Sequence, residues 1–99
     1  MYMIVSFGNK ATADVFHGRI NSRVKKLPTQ ILDSAIRKLD MVHAAISIDD
    51  LRSPPGNRLE TLQGEYEGYH SIRINKQWRI MFRWIENSGA HDVTIIDYH

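Results

Sequence analysis

Tyr69-His-Ser-Ile72-Arg73-Ile74-Asn75-Lys76-Gln-Trp78-Arg79-Ile80-Met81-Phe82-Arg83-Trp84 decides the fold class. Its period is two. Ile72 and Ile74, then Trp78, Ile80, Phe82 and Trp84, fall on one side. Tyr69, Ser71 and Arg73, then Arg79, Met81 and Arg83, fall on the other. Side chains alternate across a strand, so this is a strand pair with one apolar face, closed by a turn at Asn75-Lys76.

The same logic extends outward. Asn87-Ser-Gly89 carries the residues of a second hairpin turn, and Asp92 to Tyr98 is a last strand rich in Val, Thr and Ile. Upstream, Leu59 to Leu62 is a candidate short strand and Gly64 to Gly68 a turn. Ser53-Pro-Pro-Gly56-Asn57 marks a loop within Ser47 to Arg58. The period changes to a helical one before it. From about Pro28 to Ala45, Ile31, Leu32, Ala35, Ile36, Leu39, Val42 and Ala45 recur at three- and four-residue steps, with Pro28 suited to the first turn. Asp33 and Arg37 are spaced for an ion pair on the outer side. Lys10 to His17 suits a short helix, Ser22 to Leu27 a helical turn or loop, and Met3 to Phe7 a first strand. Strand, helices, then an antiparallel run of strands predicts an α+β domain, with the helices on one face of a twisted, mainly antiparallel sheet.

A chain of 99 residues, 42% apolar and 24% charged, is expected to form one domain, residues 1–99, around one core. With no cysteine there is neither a disulfide framework nor a thiolate metal site. Met1 to Lys10 lacks the apolar core of a signal peptide, and no stretch has the length of a membrane span. A cytoplasmic location away from membranes is expected. The formal charge of +2 is small, so the placement of the basic residues matters more than their number.

Arg73, Arg79 and Arg83 share the face opposite the apolar row. They read either as a solvated strand face or as a surface whose mutual repulsion a polyanion relieves; the second reading points to nucleic acid. RNA supplies its own nucleophile, the 2′-hydroxyl. A protein that cuts it needs a base for that hydroxyl, an acid for the departing 5′-oxygen, and positive charge for the pentacoordinate transition state. No metal or other cofactor is expected for that chemistry. Arg79 suits the charge role, since its planar fork matches phosphate oxygens. Glu60, Tyr98 and His99 are the acid–base candidates. A carboxylate beside an imidazole favours the imidazolium, which suits His99 to donate a proton near neutral pH. Tyr69 and Tyr66, next to glycines, are candidates for base stacking. His70 shares parity with Ile72 and Ile74, which marks a core or edge histidine. His17, His43 and His91 are scattered without metal spacing. The scheme requires the arginines of the hairpins and Asp97-Tyr98-His99 to converge on one concave surface.

Leu59-Glu-Thr-Leu62-Gln-Gly64, Glu67-Gly-Tyr69-His-Ser-Ile72-Arg-Ile74, Gln77-Trp-Arg79-Ile80, the closing Asp97-Tyr-His99 and an N-terminal Ile4-Val-Ser-Phe7 together resemble the HigB toxins of the RelE/ParE superfamily, along nearly the whole chain. The resemblance implies a fold like that of microbial ribonucleases. It implies a ribosome-dependent endoribonuclease that cuts messenger RNA in the 30S A site and so inhibits translation. It also implies a HigA-like helix-turn-helix antitoxin, through which the pair would reach operator DNA. Its roles carry over to Arg79, Asp97, Tyr98 and His99. Glu60 is a further catalytic candidate, and Arg73, Lys76, Arg83, Tyr69 and Gln63 are the expected RNA contacts. Some members have histidine at the position of Glu60 and lysine at that of Gln63. Glu60 can accept a proton but cannot donate as an imidazolium does, and Gln63 brings no charge. The alternative in the same superfamily is a ParE-like toxin that binds and poisons DNA gyrase without catalysis; the closing Asp-Tyr-His favours the RelE side.

Overall fold

Trp78–Ile85 is the centre of the structure, an eight-residue strand whose Ile80 and Phe82 are fully buried. The computed structural model describes residues 3–98, and the elements below are numbered along that chain. Strand β1 is Met3–Ile4 and helix α1 is Lys10–Phe16. Helix α2 is Leu32–Ala44, entered through a 3₁₀ turn at Thr29–Ile31. Strands β2 (Glu60–Thr61), β3 (His70–Arg73), β4 (Trp78–Ile85) and β5 (Gly89–Asp97) follow. Short 3₁₀ turns at Val24–Lys26, Ile48–Arg52, Pro55–Asn57 and Gly64–Tyr66 fill the connections.

The sheet runs in the order β1-β5-β4-β3-β2. All pairs are antiparallel except β1 with β5, which is parallel, so the expected α+β class and mainly antiparallel sheet hold. The first expected strand is shorter than Met3 to Phe7: after Ile4 only Phe7 returns to the ladder, as a single bridge to Val93. The last begins earlier than Asp92, because Gly89 and Ala90 already pair with Ile85 and Trp84. Gly89 is required there: at φ 125° an added Cβ would lie 2.2 Å from the Met3 carbonyl oxygen.

Both helices lie on one face. Ile31, Ala35, Leu39, Val42 and Ala45 of the predicted stripe are buried, and they join Ile72, Ile80, Phe82, Val93 and Ile95 from the sheet in one core. Ile74, Trp78 and Trp84 pack against its rim, which completes the apolar row expected from the sequence. Burial of an aliphatic or aromatic side chain contributes about 1.5–3 kcal/mol, so this face dominates the stability of the sheet. Ile36 is the exception in the stripe and stays exposed. Helix α1 is capped by Asn9, whose Oδ1 accepts from the Thr12 amide at 2.9 Å. Its buried Thr12 hydroxyl accepts from the Ile95 amide at 2.9 Å and pins the helix to β5. Arg37 donates to Ser34 at 3.1 Å rather than to Asp33. No helix among the described residues is long and apolar enough to cross a membrane.

Candidate active site

The face of the sheet turned away from the helices carries the site, and strand register determines what faces it. Arg73 pairs with Arg79, and Arg79 pairs with Ile96. Directly opposed residues share a face, and so do residues two apart along a strand. Tyr98, two beyond Ile96, therefore follows Arg73 and Arg79; its amide donates to the Gln77 carbonyl at 2.8 Å and continues the ladder past Asp97. The β3–β4 turn is held by Asn75, whose Oδ1 accepts from the amides of Gln77 and Trp78, each at 2.8 Å. That turn places Lys76 at the same end. On the far side of β3, strand β2 pairs Glu60 with Ser71 and brings its carboxylate over.

The result is an open basin of about 350 Å³ lined by Arg58, Glu60, Arg73, Asn75, Lys76, Arg79 and Tyr98. Four cations and one carboxylate surround it, which suits a phosphodiester. Arg79 forms the floor, with only 6% of its surface exposed. Its Nη1 stands 3.5 Å from Glu60 Oε1, and the Glu60 side chain is about half exposed. Burial pushes the Arg79 guanidinium below its usual pKa. Glu60 and Tyr98 offset part of that shift, whereas Arg73 and Arg58 add to it. An arginine remains a cation near neutral pH, so the floor is a fixed and only partly compensated positive charge.

Five of the candidate residues therefore meet: Glu60, Arg73, Lys76, Arg79 and Tyr98. Others do not line the basin. Arg83 donates from Nε to Asp92 Oδ2 at 2.8 Å, and its Nη2 stands 2.7 Å from the same oxygen in an ion pair. That hydrogen bond, followed by the charge of Asp92, raises the arginine pKa, with Tyr69 adding a smaller contribution. The cause is a β-bulge. Asp92 adopts a left-handed conformation (φ 53°) and the register shifts between Met81 and Arg83, which sets Arg83 opposite His91 and beside Asp92. The arginine face expected from strand alternation is thus split: Arg83 has its own counter-ion, and Arg73 and Arg79 face the basin. Tyr69 lies with Arg83. Gln63 is exposed just before the Gly64–Tyr66 turn and outside the basin. Asp97 pairs with Trp78, on the face opposite Tyr98, and accepts from Gln77 Nε2 at 3.1 Å. His99 lies outside the described residues. His70 keeps the core-edge place expected for it, 6.1 Å from the Phe82 ring, with burial lowering its pKa.

Two basin residues escaped sequence reasoning. Asn75 was visible only as a turn former. Arg58 follows the Pro-Pro-Gly-Asn loop in a left-handed conformation (φ 44°), which no periodicity signals.

Comparison with known proteins adds an independent line. The family described as RelE-like toxin of type II toxin-antitoxin system HigB matches residues 5–99. The chain is 40% identical over 79 residues to Toxin HigB-1 of Vibrio cholerae, covering 80% of this chain and 81% of that protein. It is 34% identical over 97 residues to Endoribonuclease HigB of Proteus vulgaris, covering 98% of this chain and all of the relative.

Proposed function

Because the chain belongs to the HigB family of RelE-like toxins of type II toxin–antitoxin systems, we propose that it is an endoribonuclease that cuts messenger RNA in the ribosomal A site. The single observation that carries this reading is the basin: Arg58, Arg73, Lys76 and Arg79 arranged around one carboxylate and one phenol. A gyrase-binding toxin needs an adhesive surface, not a recessed cation beside an acid–base pair. The name of the Proteus vulgaris relative supports the same chemistry.

In this reading the scissile phosphate sits over Arg79. Glu60 takes the proton of the 2′-hydroxyl as that oxygen bonds to phosphorus. The bond from phosphorus to the 5′-oxygen breaks, and the leaving oxygen receives a proton from His99 or from the Tyr98 phenol. The products are a 2′,3′-cyclic phosphate and a 5′-hydroxyl. Arg79 faces the developing negative charge in a site where water is partly excluded, where such a charge is worth most. The RNA provides the nucleophile, so the step calls for no metal-bound hydroxide. Arg73, Lys76 and Arg58 contact flanking phosphates. The openness of the basin supports ribosome dependence: it holds a backbone, and the A site supplies the orientation of the strand. A HigA-like helix-turn-helix antitoxin restrains the protein in the cytoplasm and carries it to operator DNA.

The test is cleavage of a defined message by purified protein, on translating ribosomes and free in solution, with the new ends mapped. Cuts on ribosomes only, ending in cyclic phosphate, are expected. Intact message together with gyrase-dependent double-strand breaks reverses the assignment to the ParE-like alternative.

A further inference from the structure

Arg79 reaches the basin with most of its hydrogen-bonding capacity already used. Its Nε donates to Ser71 Oγ at 2.7 Å, and Ser71 is fully buried. Its Nη2 donates to the Arg58 carbonyl at 2.6 Å and to the Ser71 carbonyl at 3.3 Å. A guanidinium has five N–H groups. Three are engaged with neutral acceptors of the protein, leaving the two on Nη1, the nitrogen beside Glu60. Both bidentate modes of arginine toward phosphate, end-on through the two terminal nitrogens and side-on through Nε and a terminal nitrogen, require donors that are committed here.

The Arg58 carbonyl is itself held. Arg58 lies in the left-handed region at φ 44° and ψ 58°, a conformation disfavoured for a residue with a side chain. The preceding Asn57 is fully buried. Its Nδ2 donates to the carbonyls of Leu51 (3.1 Å) and Ser53 (3.3 Å), and its Oδ1 accepts from Lys38 Nζ on α2. A chain of polar contacts therefore runs from the helical layer through Asn57 to the loop and from Arg58 to the floor of the basin. It reaches across the molecule to the guanidinium that Ser71 holds from β3.

We propose that Ser71 and Asn57 are positioning residues that lock the Arg79 guanidinium so that it meets the RNA phosphate through Nη1 alone. This rests on the ribonuclease reading for its kinetic consequence, but its structural content does not. A fixed single-nitrogen contact keeps the cation aimed at one phosphate oxygen, with no reorganisation during the reaction. It also sets that oxygen beside Glu60, on the side where the 2′-hydroxyl must lose its proton.

Ser71→Ala removes the acceptor of Nε and keeps the charge of Arg79. A hydrogen bond to a charged group is worth roughly 10- to 100-fold, so turnover on ribosomes is expected to fall by about that factor. KM is expected to stay near its original value, because binding of the phosphate charge is retained. Ser71→Thr restores most of the turnover lost in the alanine variant. In an Arg79→Lys background, Ser71→Ala has little further effect, since lysine has no Nε–H to align; a purely structural role would leave the two losses additive. A readout independent of cleavage is the ¹⁵Nε–H resonance of Arg79. It is expected to be protected from solvent exchange in the unaltered protein and to lose protection in Ser71→Ala, while a 2′-deoxy-substituted RNA oligonucleotide leaves it in place. Full turnover by a folded Ser71→Ala protein overturns the proposal. So does an unprotected Arg79 Nε–H in the unaltered protein, whether or not that protein cuts RNA. Protection with no cleavage by any variant would instead retire the ribonuclease reading and leave the locked arginine standing.

Discussion

Replacing Glu60 with glutamine separates two roles that the geometry assigns to one carboxylate. The substitution keeps the shape and removes the charge 3.5 Å from Arg79 Nη1. That charge lowers the net positive potential of the basin and so opposes the phosphate. Two unit charges about 5 Å apart interact by about 3 kcal/mol at an effective dielectric of 20. The Glu60 side chain is 48% exposed, so solvent reduces this to the 0.2–1 kcal/mol typical of exposed pairs, which is about 1.4- to 5-fold in affinity. Binding of a 2′-deoxy-substituted RNA is therefore expected to tighten by that modest factor. Catalysis moves the other way and by more, since a positioned general base contributes about 10²–10⁴-fold. Single-turnover cleavage on programmed ribosomes, alongside binding of the uncleavable RNA, measures both. Turnover equal to or above that of the unaltered protein would show that Glu60 is only a counter-ion of Arg79. A loss of affinity would show that Glu60 holds Arg79 in place more than it repels the phosphate.

Three further perturbations test the surrounding frame. Lys76→Ala removes an exposed cation of the basin; it is expected to weaken binding of single-stranded RNA and to reduce the salt slope of log affinity by about 0.7, and an unchanged slope would take Lys76 out of the phosphate path. Arg83→Ala breaks a half-exposed pair with Asp92 outside the basin, so it is expected to cost at most about 1 kcal/mol of stability and to leave cleavage within a few-fold; a loss matching that of Arg79 variants would restore the undivided arginine face. Asp14, a buried carboxylate of α1, is held at about pKa 2 against 3.8 by hydrogen bonds from Asn21 and then Arg23, with Arg19 adding to them. Because the folded value is the lower one, its contribution to stability is present above about pH 4 and disappears as pH falls through 2. Thermal unfolding is thus expected to show Asp14→Asn less stable at pH 7, with the gap closing between pH 4 and 2; a gap independent of pH would rule out the charge as its source.

What the sequence disclosed and what it hid divide along a physical line. The apolar row from Ile72 to Trp84 and the stripe from Ile31 to Ala45 were legible because burial imposes a period on each element separately. Arg73 and Arg79 could be assigned to one face for the same reason, and the Asn75-Lys76 turn then brought Lys76 beside them. Periodicity also carried a warning that a motif-based reading overrode. Adjacent residues in a strand point to opposite faces, so Asp97 and Tyr98 could not both face the basin while the strand continued through them; the register puts Asp97 with Trp78 and Tyr98 with Arg79. What stayed hidden depends on contacts distant in the chain or on single backbone angles. The bulge at Asp92 gives Arg83 a counter-ion that its parity in β4 does not signal. The burial of Arg79 requires Ser71 from the next strand and a carbonyl 21 residues away. That burial changes the meaning of the motif. In Gln77-Trp-Arg79-Ile80 the arginine reads as a freely forked phosphate clamp, but a fork with Nε and Nη2 committed is a point contact of fixed direction. Catalysis by this basin then depends less on how many cations line it than on whether the neutral groups behind Arg79 hold one of them still.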